Sequence, residues 1–376
     1  MLSFKFISLL FPIFTCGILS IFLFFNYNNN LSKRIMSLLM TVGFVFSLSI
    51  LFNQTGYYLL YSYFAPLYYA MMLLMPTLFY FYVKSLTTIS FKFQRFYFHL
   101  FPSVLYFLVS LVLFSLLDNN NRVEYIGNLN LGVNNYNGIF FLLHLVFVSH
   151  KFVFSAQILF YFFLIRKEII INNKLINNTF SNNSELKLNW LYIINFIFLL
   201  GGLNGLIINF LPTTHVKIDE TSLGISLILF SVFFILLSFM ANNQKSIILE
   251  IEENDKIVLK KDTILNEEAL IKRIDDYLLN NEAYKNPNLN IWHLVNELYV
   301  NRTYISQAIN KEKGQNFNSY INTIRIEQVL KRLNNNELNY RTISEECGFK
   351  SLSTFYRCFK NYTKITPSEY IKSIQK

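Results

Sequence analysis

Between Leu352 and Lys360 the side chains of Leu352, Ser353, Tyr356, Arg357 and Lys360 fall on one side of a 3.6-residue repeat, and Phe355, Cys358 and Phe359 fall on the other. A face of guanidinium, ammonium, phenol and hydroxyl groups suits the floor and walls of a DNA major groove. Arg357 has the two-point geometry for guanine, and Lys360 suits a phosphate. A second such face lies about fifty residues upstream, where Arg302, Thr303, Ser306 and Gln307 share one side of a short helix. Gln307 can pair in two-point fashion with adenine. The apolar runs hold no Asp or Glu, no histidine pair has ligand spacing and the three cysteines make no metal-ligand cluster, so no catalytic residue, metal or cofactor is expected.

The neighbouring residues are those needed to position these faces. Ile343 and Cys347 sit four apart on a first short helix, Gly348 can end it in the left-handed conformation, and Phe349 plugs the corner. Ser351 is placed to cap the following helix. Upstream, Ile291 to Leu298 forms an amphipathic turn and a half, Tyr299-Val300 makes a corner, and Asn301 caps the helix from Arg302 to Asn310. A connecting helix is expected from Phe317 to about Leu333, buried through Ile321, Ile324, Val329, Leu330 and Leu333. Thr366-Pro367-Ser368-Glu369 carries helix-start chemistry: a cap, a proline at the first position and a glutamate reaching back.

Gly348-Phe349, the run Phe355-Tyr356-Arg357-Cys358-Phe359-Lys360 and Thr366-Pro367-Ser368-Glu369-Tyr370 resemble the signature of AraC-type transcription regulators. The earlier helix pair and Phe317 to Ile326 match the weaker first half of that pattern. The resemblance covers roughly residues 265–376, about 30% of the chain. It implies two helix-turn-helix units joined by one long helix, with Arg325 bracing the two halves rather than reading bases. Two recognition helices about one DNA turn apart, roughly 34 Å, would read successive major grooves. Lys364 departs from the family, which usually has glycine there.

The composition divides the chain. Hydrophobic residues make 53% and charged residues 15%, but unevenly. Residues 1–241 hold 13 basic and 6 acidic residues, 242–290 hold 7 and 10, and 291–376 hold 13 and 7. The last segment therefore has the positive balance that a phosphate-binding domain requires. Cys16, Cys347 and Cys358 make no disulfide framework; Cys347 and Cys358 read as small core residues or as a redox-sensitive pair.

Residues 4–25 are apolar except for Lys5 and read as a retained first membrane helix, since no small-residue cleavage site follows. Further runs of spanning length lie near 35–52, 57–83, 96–117, 139–165, 190–211 and 221–241. The loops after the first, third and fifth runs carry Lys33, Arg34, Lys84, Lys92, Arg95, Arg166, Lys167, Lys174 and Lys187; the alternate loops carry Arg122 and Lys217. That asymmetry puts the amino terminus outside and the carboxyl terminus in the cytoplasm of a bacterial inner membrane. The expected fold is all-α: a seven-helix transmembrane bundle (1–241), a cytoplasmic linker with a helical segment (242–288), and an all-α DNA-binding domain (289–376). The outward loops are short, the largest being the Asn-rich stretch 118–138.

Within the runs, His144, His150 and Lys151 are the candidate ligand contacts, with Gln157 two turns on. A competing reading has the helix beginning later, with Lys151 snorkelling to the interface. Pro66, Pro76 and Pro102 could kink their helices, and Gly201, Gly202 and Gly205 could admit close packing. In the linker, acids run from Glu250 to Asp255, Ile257-Val258-Leu259 is a short apolar run, and Leu270, Ile271, Ile274, Tyr277 and Leu278 have helical spacing from Glu267 to Leu279, with Asn286-Pro287 as the stop before the DNA-binding domain.

Together these features point to a membrane-embedded one-component transcription regulator rather than an enzyme. Its expected partners are double-stranded promoter DNA, the lipid bilayer, RNA polymerase, a signal ligand or membrane partner, and a second copy in a homodimer. The alternatives are a membrane transporter or enzyme with an appended DNA-binding domain, and a bundle that only anchors the regulator. The apolar runs hold no Asp or Glu and no repeated broken helices, which weighs against transport and catalysis.

Overall fold

A computed structural model describes residues 4–26, 30–88, 91, 93–133, 136–183, 186–210, 220–243, 266–335 and 339–375. Glu250 to Asp255, Ile257 to Leu259, Lys92, Lys217 and Asp219 lie outside the described residues. Among those described the chain is all-helical, with one isolated antiparallel bridge, Phe180 to Asn290, and no strand. It divides into two compact units, Met1–Ile169 with Asn189–Lys245, and Ile170–Leu188 with Ser246–Lys376.

The first unit is built from α1 (Phe4–Phe25), α2 (Leu31–Gln54), α3 (Tyr58–Thr87), α4 (Phe101–Ser115), α5 (Asn119–Asn130), the first part of α6 (Gly138–Asn177), α7 (Trp190–Phe210) and α8 (Glu220–Asn243). Helix α3 is the most enclosed, packing against α2, α4 and α5, while α1 lies against α2 and α8. Among the described residues six helices are long and apolar enough to cross a membrane: Phe4–Phe25, Leu31–Gln54, Tyr58–Thr87, Phe96–Ser115, Gly138–Asn177 and Leu223–Asn242. Trp190–Leu203 is a shorter apolar helix. Phe14, Ile18, Phe101, Phe163, Ile193 and Phe239 are each more than 60% exposed.

Several elements depart from the sequence expectation. Helix α6 continues twelve residues past 165, to Asn177, because the polar stretch after Ile165 has no glycine or proline to stop it and buries Ile169 and Ile176. Arg166, Lys167 and Lys174 therefore sit on a helix rather than in a loop. Its glutamate, Glu168, pairs with Lys84 at 2.7 Å, near the end of α3. The stretch 118–138 contains α5, started by an Asp118 cap on the Asn121 amide at 3.1 Å and held by buried Tyr125 and Ile126. Pro102 stands in the first turn of α4, after a 3₁₀ segment over Phe93–Leu100, where a proline costs no hydrogen bond. Pro66 and Pro76 lie inside the unbroken α3. Gly202 faces Ile158 of α6 so closely that an added Cβ would fall 2.0 Å from its Cδ1. Gly201 meets nothing within 4 Å.

The second unit contains the end of α6, α9 (Glu267–Asn280), α10 (Ile291–Leu298), α11 (Arg302–Lys313), α12 (Phe317–Asn334), α13 (Tyr340–Glu346), α14 (Leu352–Thr363) and α15 (Pro367–Ile374). Helix α9 buries Leu270, Ile271, Ile274 and Leu278 against α10 and α11. It ends at Asn280, one residue past the Glu267 to Leu279 stretch that the spacing marked; Glu282 then turns left-handed and a 3₁₀ turn over Ala283–Lys285 follows, ahead of Asn286-Pro287. Helix α12 is the central beam, touching α11 on one side and α13 and α14 on the other. Asn316 caps it through the Ser319 amide at 3.0 Å, and Ile321, Ile324, Val329 and Leu333 are buried, with Leu330 half-buried.

Candidate nucleic-acid interface

The first helix pair is fixed by local chemistry at each corner. Asn290 accepts from the Trp292 amide at 3.1 Å, and His293 Nδ1 accepts from the Asn290 amide at 3.2 Å, which satisfies two donors at the start of α10. Tyr299 takes a left-handed conformation, φ 55°, and ends that helix. Asn301 then caps α11 through the Thr303 amide at 2.9 Å. Leu294, Val295, Ile305, Ala308 and Ile309 are all buried between the two helices. That burial turns Thr303 and Gln307 fully outward, with Arg302 and Ser306 half-buried beside them. The Arg302 guanidinium lies 6.0 Å from the Trp292 ring centre.

The second pair repeats the scheme. Ile343 and Cys347 point inward, Gly348 has φ 90°, and the Phe349 amide closes on the Ser344 carbonyl at 3.0 Å. Gly348 is required twice over, since a Cβ there would also stand 2.5 Å from the Tyr284 carbonyl oxygen. Ser351 caps α14 through the Thr354 amide at 3.3 Å. Phe355 and Phe359 are fully buried and Cys358 is half-buried. On the opposite side Ser353, Arg357 and Lys360 are exposed, and Leu352 and Tyr356 are half-buried. The Tyr356 hydroxyl is tied to that of Tyr340 at 2.7 Å. Tyr340 was not singled out in the sequence, because its role depends on α13 crossing α14.

Arg325 sits between these pairs with 1% of its surface exposed. Its Nε donates to the Tyr284 carbonyl at 2.8 Å and its Nη2 to the Asn286 carbonyl at 2.7 Å, and the guanidinium is 5.8 Å from the centre of the Phe349 ring. Burial pushes its pKa down to about 10, so it stays charged at neutral pH. The carbonyl cage takes the place of a counter-ion. Both Cys347 and Cys358 are free, and burial pushes both thiols up, against the pull of Arg332 on one and Arg357 on the other. Lys364 occupies the left-handed exit of α14, φ 68°, where glycine would be unstrained. Thr366 and Glu369 form the expected reciprocal cap of α15.

One set of contacts had no signal in the sequence. Residues 179–183, just past α6, lie along α10 and α12, and Lys187 stands near enough to Arg357 for that guanidinium, after burial, to hold the lysine below its usual pKa.

The candidate ligand contacts of the first unit are placed as follows. Helix α6 begins at Gly138, with no later start. His150 is 2% exposed, with Nε2 3.0 Å from the Tyr69 carbonyl and Tyr68, Tyr69 and Tyr106 around its ring. His144 lies 4.8 Å, ring to ring, from Tyr136, and Lys151 places its ammonium 4.0 Å from the Phe147 ring centre. Gln157, six residues past Lys151, is buried. Among the described residues no group of three His, Cys, Asp or Glu side chains could hold a metal ion.

Residues 294–373 match the profile of a family described as "Helix-turn-helix domain". Over 88 residues the chain is 32% identical to "Uncharacterized transcriptional regulatory protein YesN" of Bacillus subtilis, covering 23% of this chain and 24% of that protein. It is 30% identical over 108 residues to "Uncharacterized HTH-type transcriptional regulator YijO" of Escherichia coli, covering 29% and 37%. It is also 32% identical over 110 residues to "Histidine kinase P4" of Formosa agariphila, covering 27% of this chain and 8% of that one. The chain thus spans a minor part of each of these relatives, and each likeness is confined to about a quarter of its own length.

Proposed function

We propose, from the premise that the chain carries an AraC-type helix-turn-helix domain at residues 294–373, that it is a membrane-embedded one-component transcription regulator. The two helix pairs act as two helix-turn-helix units. Helix α11 presents Arg302, Thr303, Ser306 and Gln307 to one major groove, and α14 presents Leu352, Ser353, Tyr356 and Arg357 to the next, with Lys360 at a phosphate. The function is binding, not catalysis. The observation that carries this reading is that the outward faces of α11 and α14 hold exposed Gln307 and Arg357 on helices that are capped by Asn301 and Ser351 and buried on their other side. Groups held rigidly and left uncovered are what base readout needs.

The apolar helices of the first unit form a multi-pass membrane region of seven spans, residues 1–241, followed by a linker over 242–288 and the DNA-binding domain over 289–376. Six helices of spanning length with exposed apolar faces support the membrane placement. The excess of basic residues after the first, third and fifth spans supports an outside amino terminus and a cytoplasmic DNA-binding domain. Lipid, promoter DNA and RNA polymerase are its partners, and a homodimer is the natural state on a paired operator. The signal, a ligand or a membrane partner, is received by the bundle, with His144, His150 and Lys151 as the candidate contacts.

Selection from a random duplex library by the intact chain in detergent tests the DNA part. The expected result is one enriched sequence with two half-sites about 10 base pairs apart, centre to centre. Recovery of unenriched DNA only would contradict it. Reporter fusions after each span test the topology, which fails if the loops after the first, third and fifth spans report from outside.

A further inference from the structure

The segment that follows α6 is built into the second unit as if it were one of its own elements. The Ser181 amide donates to the Leu289 carbonyl at 3.0 Å, and the Ile291 amide donates to the Thr179 carbonyl at 2.8 Å, which makes a two-residue antiparallel bridge at the start of α10. The Ser181 hydroxyl also donates to the Leu289 carbonyl at 2.6 Å, and it accepts from Arg325 Nη2 at 3.3 Å. From α12, Asn318 Nδ2 donates to the Phe180 and Ser181 carbonyls at 3.2 and 2.6 Å, and Asn322 Nδ2 donates to the Ser181 carbonyl at 3.4 Å. The Phe180 ring stands edge-on to Trp292, 5.9 Å between centres. Thr179 and Ser181 have no exposed surface, and Phe180 and Asn183 have less than a tenth.

These contacts reach both helix pairs. Residues 179–181 join the first pair, at Leu289 to Trp292, to the central beam at Asn318, Asn322 and Arg325. Through Arg325 they share a guanidinium with the Tyr284–Asn286 turn and with Phe349 in the corner of the second pair. Gly348 rests on the same turn. None of the segment's hydrogen-bond partners is a base reader, and Thr303, Gln307, Ser353, Arg357 and Lys360 stay exposed with the segment seated. The segment braces the reading faces; it does not cover them. In the chain it begins two residues after the last residue of α6, a helix of 40 residues that runs without a break from Gly138.

We propose that residues 179–183 are a clip that sets the spacing of the two reading helices, with Ser181 and Asn318 as its positioning residues, and that α6 delivers the signal of the membrane region to DNA by seating or withdrawing this clip. The inference rests on the DNA-binding reading above. With the clip seated, both helices meet their grooves together. With it withdrawn, Arg325 loses one of its acceptors and the first pair loses its tie to α12, so each helix pair still binds a half-site but the two no longer match one spacing.

The test uses the intact chain in detergent, with the duplex enriched by selection as probe, complete or with one half-site scrambled. Ser181→Ala is expected to bind the complete duplex about tenfold more weakly and each half-scrambled duplex within about twofold of the unaltered protein. Asn318→Ala, which removes the separate bonds from α12 to the Phe180 and Ser181 carbonyls, unseats the same clip and should give the same pattern, and the double variant should add little to either. A scaffold role would lower complete and half-site binding in parallel, and that result would overturn the proposal, as would unchanged binding to the complete duplex. If no duplex is enriched at all, the DNA-binding reading itself fails and the clip falls with it. If one variant does not fold, the other carries the comparison.

Discussion

Gly348 and Tyr284 are pressed together across 64 positions of chain: a Cβ on the glycine would lie 2.5 Å from the tyrosine's carbonyl oxygen, and the glycine's φ is 90°. The corner of the second helix pair is therefore seated on the turn that precedes the first. Gly348→Ala adds both a backbone strain and a clash that backbone cannot easily relieve, at a cost of about 2–4 kcal/mol. Amide hydrogen exchange over α13 and α14 of the intact chain should report that loss, while exchange in α1 to α3 stays unchanged.

Lys364 offers the opposite case. It holds a left-handed conformation, φ 68°, at the end of α14, where the AraC-type regulators that this segment resembles usually have glycine. Lys364→Gly should stabilise the exit of α14 by about 1 kcal/mol. Slower exchange of the amides from Thr363 to Thr366 would be the sign of it.

Arg357 and Lys360 should separate in their effects on DNA. Arg357→Ala is expected to relax the preference at one base pair, a loss of about 1–3 kcal/mol of discrimination, because only a two-point donor distinguishes guanine there. Lys360→Ala should weaken all duplexes alike and lower the slope of log affinity against log salt by about 1. Titrations of matched and single-mismatch duplexes at several salt concentrations check both.

The cap of α15 predicts a pH dependence. Glu369 accepts from the Thr366 amide and hydroxyl, and those bonds hold its carboxyl below the usual glutamate range. With the folded pKa below the unfolded one, the unfolded chain takes up the proton first as pH falls. The stabilisation is therefore complete above the ordinary carboxylate range and is lost as pH falls through the folded value. Glu369→Gln should speed exchange in α15 at neutral pH and make no difference once the medium is well below that range.

What could be read from the residues alone was chemistry that acts over four residues or fewer. Asn301, Ser351 and Thr366 cap their helices where a side-chain oxygen two or three positions ahead of an amide must, and Ile343, Cys347, Phe355 and Phe359 are buried as their spacing requires. The outward faces of α11 and α14 followed from the same periodicity, including exposed Gln307 and Arg357. The bracing role of Arg325 came from a family resemblance, and its three backbone and hydroxyl acceptors agree with it. Missed were features set by distant partners. Thr179-Phe180-Ser181 looks like any polar loop until Leu289 and Asn318, more than a hundred residues on, supply its hydrogen bonds. Helix α5 looked like an asparagine-rich loop, since Tyr125 and Ile126 show their purpose only against the Tyr61 and Tyr69 face of α3. Where α6 would end was equally hidden, because nothing local stops it before Asn177.

Chromatin immunoprecipitation with sequencing, on cells carrying either the intact chain or its Arg357→Ala variant, bears most directly on regulation by DNA binding. The expected result is occupancy of a small set of promoters sharing one paired sequence, lost from those sites in the variant while the protein remains in the membrane fraction. Occupancy no different from background, or the same promoters held equally by the variant, would contradict it.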